Sequence, residues 1–395
     1  MTISPVLKEK LACAWFFVTP SLAYGILSAR LPALKIITDA DDAETGTVLL
    51  ALGCSTLVGL LVCGFLIEKF GARILAISGA VFLACAMSLA SLASSWPMLA
   101  LGCGCAGLGV GLCDVAMNAL GIEIEKERKI LVLAFLHGAS SAGGVAGSLT
   151  GSLFAACNIS PFLNFAIILG LWLCLAPIII RYVPGSEYKT QSGKSFLAAF
   201  PLIVLLCGIL SLLCHVVEGS AAEWGSILLN TVKHASQQEA ALTFACFTGG
   251  MVLCRFSADR LRQHINDIWL LFAGSLLGAT GMILAILSPI PSLCLAAYAL
   301  MGVGLAPVVP ILFSRAGAVP GIGSGRASAV VSIFSYSGML LFPPLLGYIA
   351  EESGLSHALW ILVFCCLAVG LGSLALKKGG IKKPGKKLDG STSNS

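Results

Sequence analysis

Twelve runs of mainly apolar residues, parted by short turns, restrict this chain more than any other feature of it. They fall near 11–30, 46–67, 73–93, 97–121, 130–156, 161–181, 197–222, 238–257, 268–287, 290–313, 327–349 and 356–376. A run of about 20 such residues crosses the hydrocarbon of a bilayer as a helix, and only helices and closed barrels satisfy their backbone there. These runs are too long for barrel strands. The expected fold class is therefore an all-α membrane protein of twelve transmembrane helices. Trp96-Pro97, Ser160-Pro161, Pro289-Ile290-Pro291 and Ser353-Gly354 fall in the intervening turns, as chain-reversing residues should. Composition removes the soluble alternative: 11% charged residues, against about 25% in a soluble domain, cannot coat a chain of this length.

Loop charge orients the bundle. With both termini on one side, all of the 24 Lys and Arg except Arg30, Lys35 and Lys233 fall on that side. Positive residues collect in cytoplasmic loops, so the expectation is a multi-pass protein of the cell membrane (the inner membrane of a bacterium) with both termini cytoplasmic. A wrong helix count would scramble this alternation. The opposite loops are acidic, with Asp39, Asp41, Asp42 and Glu44 after the first helix and Glu351 and Glu352 after the eleventh. The longest polar inner stretch, Arg181–Ser195, divides the chain into two sets of six helices. The expected organisation is a six-helix half at 1–181, a cytoplasmic linker at 182–196, a second half at 197–376 and a basic, disordered cytoplasmic tail at 377–395. Such 6+6 repeats mark transporters that rock two halves about a midplane site.

The formal charge of +5 does not indicate a nucleic-acid partner. It resides in the tail lysines, Lys377, Lys378, Lys382, Lys383, Lys386 and Lys387, which read as an anchor facing lipid. The 16 cysteines lie mostly inside apolar runs, where Cys behaves as a small hydrophobe, so neither a disulfide framework nor a metal site is expected. Residues 11–29 run into Arg30 and Pro32 without a small-residue cleavage site, and read as the first membrane helix rather than a signal peptide.

Two loops carry a shared pattern. After the second helix the chain reads Gly64-Phe-Leu-Ile-Glu68-Lys69-Phe-Gly71-Ala-Arg73, and after the eighth Gly250-Met-Val-Leu-Cys-Arg255-Phe-Ser-Ala-Asp259-Arg260. Gly64 permits close helix packing, Glu68 accepts from basic groups or a helix N-terminus, and Gly71 permits a tight turn. The first stretch resembles the signature G-x-x-x-[D/E]-[R/K]-x-G-x-[R/K] of the major facilitator superfamily, and the second resembles its degenerate copy. The resemblance implies that Glu68, Lys69, Arg73, Arg255 and Asp259 lock an inner gate, with Gly64, Gly71 and Arg260 part of the same motif.

Asp114 is the one acid placed well inside a run, and a carboxylate at that depth is costly enough to mark a cavity, a partner or a function. Asn118, four residues on, shares its helix face. The other reading is an acceptor that only fixes packing. Gly102, Gly104 and Gly107 imitate a dinucleotide loop but follow no strand, and read as helix-packing positions. An acid with an Asn four residues later in helix 4 looks like the fucose-permease branch, where that acid takes part in proton-coupled sugar uptake. Ser28-Ala-Arg30-Leu-Pro32-Ala-Leu-Lys35, Leu136-His137-Gly138, Glu218-Gly-Ser-Ala-Ala-Glu223-Trp224 and Gly302-Val-Gly304-Leu-Ala-Pro307-Val-Val-Pro310 resemble bacterial permeases near that branch. Where fucose permease has a second acid, in helix 1 four residues before a proline, this chain has Ser28. A two-carboxylate relay therefore does not transfer.

Further candidates remain open between two roles. His137 is a proton-handling group or an interfacial hydrogen-bonder. Glu218 and Glu223, placed at the outer end of helix 7, are cavity acids aimed by a break at Gly219 or plain interface acids. Trp224 reads as an aromatic-belt residue, and Arg30 as an outer gate or a ligand for an anionic group. No second intramembrane acid, Ser/His box or metal spacing points to an enzyme, and no cofactor is expected. The short tail offers no output domain for a sensor. Helix 5 lacks the Gly-Pro motif of drug exporters. The expected function is secondary transport of a small polar organic solute, a sugar being one candidate, by alternating access with protons, in a monomer embedded in lipid.

Overall fold

Each turn is built by a residue that stops one helix or caps the next. The computed structural model describes residues 4–183 and 200–378. Ser4 accepts from the Leu7 N–H and opens α1, Pro5–Ile37. Asp41 and Glu44 form a reciprocal capping box before α2 (42–70), which passes into α3 (72–90) through a single non-helical residue. That residue is Gly71, at φ 79 and ψ 157, a conformation that costs an L side chain. Then come α4, Trp96–Arg128, α5, Leu133–Ala156, and α6, Pro161–Tyr182.

Beyond residue 200 the chain forms α7, Leu202–Ile227, which continues as a wider turn over Leu228–Val232. A second capping box, Ser236 with Glu239, opens α8, Gln237–His264. The rest are α9, Asp267–Leu287, α10, Pro291–Gly317, with its break at Ala306–Pro307, α11, Ser324–Ser353, and α12, Leu355–Ala375. The fold is all-α, with twelve helices and no strand among the described residues.

Helices pair in a repeated order. α1 packs on α5 and α7 on α11; α2 packs on α4 and α8 on α10. Between the helices before residue 183 and those after 200, α5 meets α8 and α2 meets α11, with α4 beside α11. The backbones come close where Cβ is absent: a Cβ at Gly107 would lie 2.3 Å from the Leu52 carbonyl oxygen of α2, and one at Gly147 2.2 Å from the Leu22 oxygen of α1. The glycines of α4 thus serve packing. Buried thiols add weak cross-helix bonds, with Cys13, Cys63 and Cys113 donating to the Met117, Leu112 and Phe16 carbonyls.

The outside of the bundle is apolar. Leu101 is 71% exposed and Leu253 74%, an arrangement that water would penalise and lipid does not. Among the described residues nine helical stretches are long and apolar enough to cross a bilayer, one of them spanning both α2 and α3. α5, rich in Gly and Ser, and α8, which carries Arg255, Asp259, Arg260 and Arg262, are not among the nine. These two pack on each other, so the polar groups of that contact, Arg255 and Ser141 among them, meet protein.

Several limits differ from expectation. α1 is longer at both ends than 11–30, and α7 runs beyond 222 to Val232. α7 does not break at Gly219, where a Cβ would stand 3.3 Å from the Met339 oxygen of α11; that glycine serves close approach. Glu218 is therefore inside the helix and not at its end. The expected linker lies, apart from 182–183, outside the described residues, as does the tail from 379 onwards.

Candidate central site and closed basic end

One face of α11 carries a hydroxyl every fourth residue, Ser324, Ser328, Ser332 and Tyr336, and every one of them bonds to α4. Ser324 donates to the Glu123 carboxylate at 2.7 Å and Ser328 to the Val115 carbonyl at 2.8 Å. Ser332 donates to Asp114 Oδ2 at 2.6 Å and Tyr336 to Oδ1 at 3.4 Å. Asp114 is buried near the middle of a 33-residue helix, and both its hydroxyl partners come from the other side of the seam. Burial without partners would be prohibitive for a carboxylate; here each oxygen has a donor.

From Asp114 the polar groups continue towards α5. Asn118 Nδ2 donates to the Asp114 carbonyl at 3.0 Å, and Asn118 Oδ1 accepts from His137 Nε2 at 3.2 Å. An amide oxygen only accepts, so His137 carries its proton on Nε2. Its ring lies between Phe17 of α1 and Phe313 of α10, at centroid distances of 5.2 and 5.7 Å. One turn along α5, Ser141 accepts from Arg255 Nη1 at 2.8 Å. Arg255 Nη2 stands 3.5 Å from Glu218 of α7, and its Nε donates to the Ala306 carbonyl at the α10 break. On α7, one turn before Glu218, His215 Nδ1 bonds to the Ser211 carbonyl at 3.0 Å, and Ser211 meets Ser335 of α11, hydroxyl to hydroxyl at 2.6 Å.

At the end of the bundle that carries the basic loops the seam is sealed twice. Asp259, at the end of α8, accepts the backbone N–H groups of Ala134 and Phe135 at 3.2 and 2.9 Å, and so caps α5 from across the seam. Glu68, at the end of α2, stands 3.6 Å from Arg326 in the first turn of α11. The two contacts match as the helices match. Between them lies Arg262, 2% exposed, within 3.8 Å of both Glu125 and Asp259 and bonded to Asp267 at 3.0 Å. Glu125 accepts from the Val132 and Leu133 N–H groups and from Ser314 of α10 at 2.5 Å. Glu125 and Asp259 together satisfy the N-terminus of α5 and, with Asp267, one buried guanidinium, the condition under which buried charge is tolerated.

A family model described as Major Facilitator Superfamily matches residues 13–232 and 224–392. The chain belongs to that superfamily of membrane transporters. It is 30% identical over 368 residues to "Membrane protein MosC" of Rhizobium meliloti, across 92% of this chain and 89% of that one. Its fold is similar to that of FucP, the E. coli fucose:proton symporter, in the outward conformation, with a TM-score of 0.78, 16% identity, and 94% and 99% of the two chains covered. It is also similar to that of the proton:xylose symporter XylE, with a TM-score of 0.68, 16% identity, and 94% and 95% covered.

Within this major facilitator chain the structure brings together Asp114, Asn118, His137, Glu218 and Arg255 near the seam. It places the other motif residues around the basic end. Gly71 makes the turn, Arg73 donates to the Ile180 carbonyl of α6 at 2.8 Å, and Lys69 lies over the Phe70 ring. Gly64 is buried and Arg260 is exposed. Arg255, expected with the gating loop, instead reaches Ser141 and Glu218, because it sits one turn inside Asp259 on the seam face of α8. Arg30 is remote from the rest: it is buried at the far end of α1 and donates to the Ile159 carbonyl at the α5–α6 turn. The Glu223 side chain lies outside the described residues.

His215, Ser332, Tyr336, Glu125 and Arg262 were not among the sequence candidates. The first had a signal, since the depth argument used for Asp114 applies to a histidine inside the seventh run. The hydroxyls had one too, in their spacing of four within an apolar helix.

Proposed function

We propose that this transporter moves a small polar organic solute by proton-coupled symport, with alternating access between halves at 1–181 and 197–376. The observation that carries the reading is Asp114, a mid-membrane carboxylate held, among the described residues, by hydroxyl donors of the opposite half. A carboxylate in that position reports its charge directly to the contact that must break when the halves rock. Ionised, it accepts two bonds; protonated, it keeps one acceptor oxygen and gains a donor. Asn118 and His137 extend the site on one side of the seam, and Arg255 with Glu218 on the other, giving donors and acceptors for a hydroxylated cargo. A sugar suits such a lining, in keeping with the sugar symporters whose fold it resembles.

With the basic loops cytoplasmic, the described conformation is closed to the cytoplasm, and Glu68, Lys69, Arg73, Asp259 and Arg260 belong to its closure. The chain works as a monomer in the bacterial inner membrane, both termini inside. Arg30 is a fixed strut of the outer end in this reading, since its guanidinium is turned onto a main-chain carbonyl.

Cargo is identified by thermal-shift screening of the purified protein against sugars, organic acids, amino acids and nucleosides, since a ligand at about 100 times its dissociation constant adds ~2.7 kcal/mol. Proteoliposome flux with that cargo then tests coupling. Asp114→Asn is expected to abolish accumulation driven by a pH gradient while sparing exchange of cargo for cargo. Full proton-driven uptake by the variant overturns the assignment, and loss of folding together with binding assigns Asp114 to packing.

A further inference from the structure

We propose that Ile67 and Ile122 form an apolar catch on the closed basic end, each seated in a notch that a glycine of the other half leaves open. The inference rests on the alternating-access reading above. A Cβ at Gly325, in the first turn of α11, would stand 2.7 Å from Ile67 Cγ2, with Cδ1 and Cγ1 at 2.8 and 3.0 Å. A Cβ at Gly317, the last residue of α10, would stand 2.3 Å from Ile122 Cγ2, with Cδ1 and Cγ1 both at 3.0 Å. In each notch a single isoleucine supplies the three nearest atoms. Ile67 lies near the end of α2 and Ile122 near the end of α4, and both are buried. Both knobs thus come from the half before residue 183, and both notches flank the α10–α11 turn.

Neither knob can move aside. A β-branched side chain in a helix keeps one strongly preferred χ1 rotamer, and Cγ2 is bonded directly to Cβ, so it travels with the backbone. Close packing leaves no space to turn into. Gly53, further out on the α2–α11 pair, is a different case, because its notch takes the Cδ1 tip of Leu340, an end that a small rotation displaces. Each knob also adjoins a polar contact across the seam. Glu68, next to Ile67, faces Arg326, next to Gly325. Glu123, next to Ile122, accepts from Ser324, and Glu125 accepts from Ser314, one turn before Gly317. Those hydroxyl bonds of 2.7 and 2.5 Å require the helices to stay this close, so a methyl in either notch parts the polar partners as well. Once the basic end opens, the knobs have left their notches and the same methyl is harmless. The catch therefore makes the closed state alone sensitive to one methyl group.

The test needs no cargo and places alanine in the notches. Both glycines are helical with negative φ, where Ala is the better helix former, so neither half is weakened by the change itself. Full-length protein in lipid nanodiscs carries spin labels at the exposed Lys126 and Arg260, attached through a non-natural ketone amino acid that spares the 16 cysteines. Overpacking by one methyl shifts a two-state ratio about fivefold or more, so Gly325→Ala and Gly317→Ala should each enrich the longer distance by at least that factor. Gly249→Ala, where a Cβ meets nothing within 4 Å, should leave the distribution unchanged. In an Ile67→Ala background Gly325→Ala should add little while Gly317→Ala keeps its full effect, because only the emptied notch has room. The Gly317→Ala and Ile122→Ala pair repeats this cycle independently if the first pair does not fold. The catch is overturned if both alanine variants keep the parent distribution while Asp259→Ala enriches the longer component, or if the Gly325→Ala effect survives Ile67→Ala undiminished. One distance in the parent and in every variant, Asp259→Ala included, would defeat the alternating-access reading itself, and the catch with it.

Discussion

At the residue scale the membrane makes single atoms expensive, and the chain answers with small groups and paired ones. Gly147 lies where a Cβ would overlap the Leu22 oxygen, whereas Gly170 has nothing within 4 Å. Gly147→Leu should therefore push α5 from α1 and cost about 1–3 kcal/mol or more, read as a lower midpoint of thermal unfolding in detergent. Gly170→Leu should leave that midpoint nearly unchanged. Equal shifts in the two variants would remove the close approach as the cause. Asp114 follows a related rule: Ser332→Ala leaves Oδ2 without its 2.6 Å donor, and an unmet buried acceptor costs about 1–3 kcal/mol. Since the lost bond crosses the seam, the variant should unfold earlier and also hold the halves together less firmly. A Ser332→Ala protein as stable as the parent would mean that the Tyr336 hydroxyl or water replaces the bond.

Among elements, the matching contacts at the basic end explain why two loops share a pattern. Glu68 pairs with the Arg326 side chain in the first turn of α11, and Asp259 accepts the N–H groups in the first turn of α5. Unmet N–H groups and the helix dipole give that turn its affinity for an anion. Removing a cap costs about 0.5–2 kcal/mol, and ~1.4 kcal/mol changes a two-state ratio tenfold. Asp259→Ala should thus enrich the conformation open at the basic end by several-fold. Spin-label distances between the exposed Lys126 and Arg260 should show it as a growing longer component. An unchanged distance distribution, with Glu68→Gln also silent, would leave the motif without a present role in closure. Arg262 differs in kind, because three acids converge on it; Arg262→Ala strands buried carboxylates at about 3–5 kcal/mol and should lower stability in every conformation.

For the whole molecule the decisive check is topology: labels at Asp42, Lys233 and Glu352 should react from outside intact cells, and labels at Lys126, Lys189 and Lys383 only after permeabilisation. Outside labelling at Lys189 would undo the division into two sixes. Much of this was legible in the sequence, because hydropathy and loop charge are properties of consecutive residues and the bilayer reads them consecutively. The number of helices, the gathering of the basic loops at one end, the turn at Gly71 and the depth of Asp114, though not that of Glu218, come from such local reading. The reach of α7 was misjudged for the same local reason, since Glu218 and Glu223 looked like the polar end of a span when Glu218 is an interior partner of Arg255. What packing alone decided is which groups meet. Ser332 lies 218 residues from Asp114 and Ser314 189 from Glu125, and no periodicity within one helix names its partner in another. The hydroxyl stripe of α11 acquires meaning only when it closes on the carboxylate of α4, because hydrogen bonds across the seam are fixed by tertiary geometry, whereas burial in lipid is fixed by the chain itself.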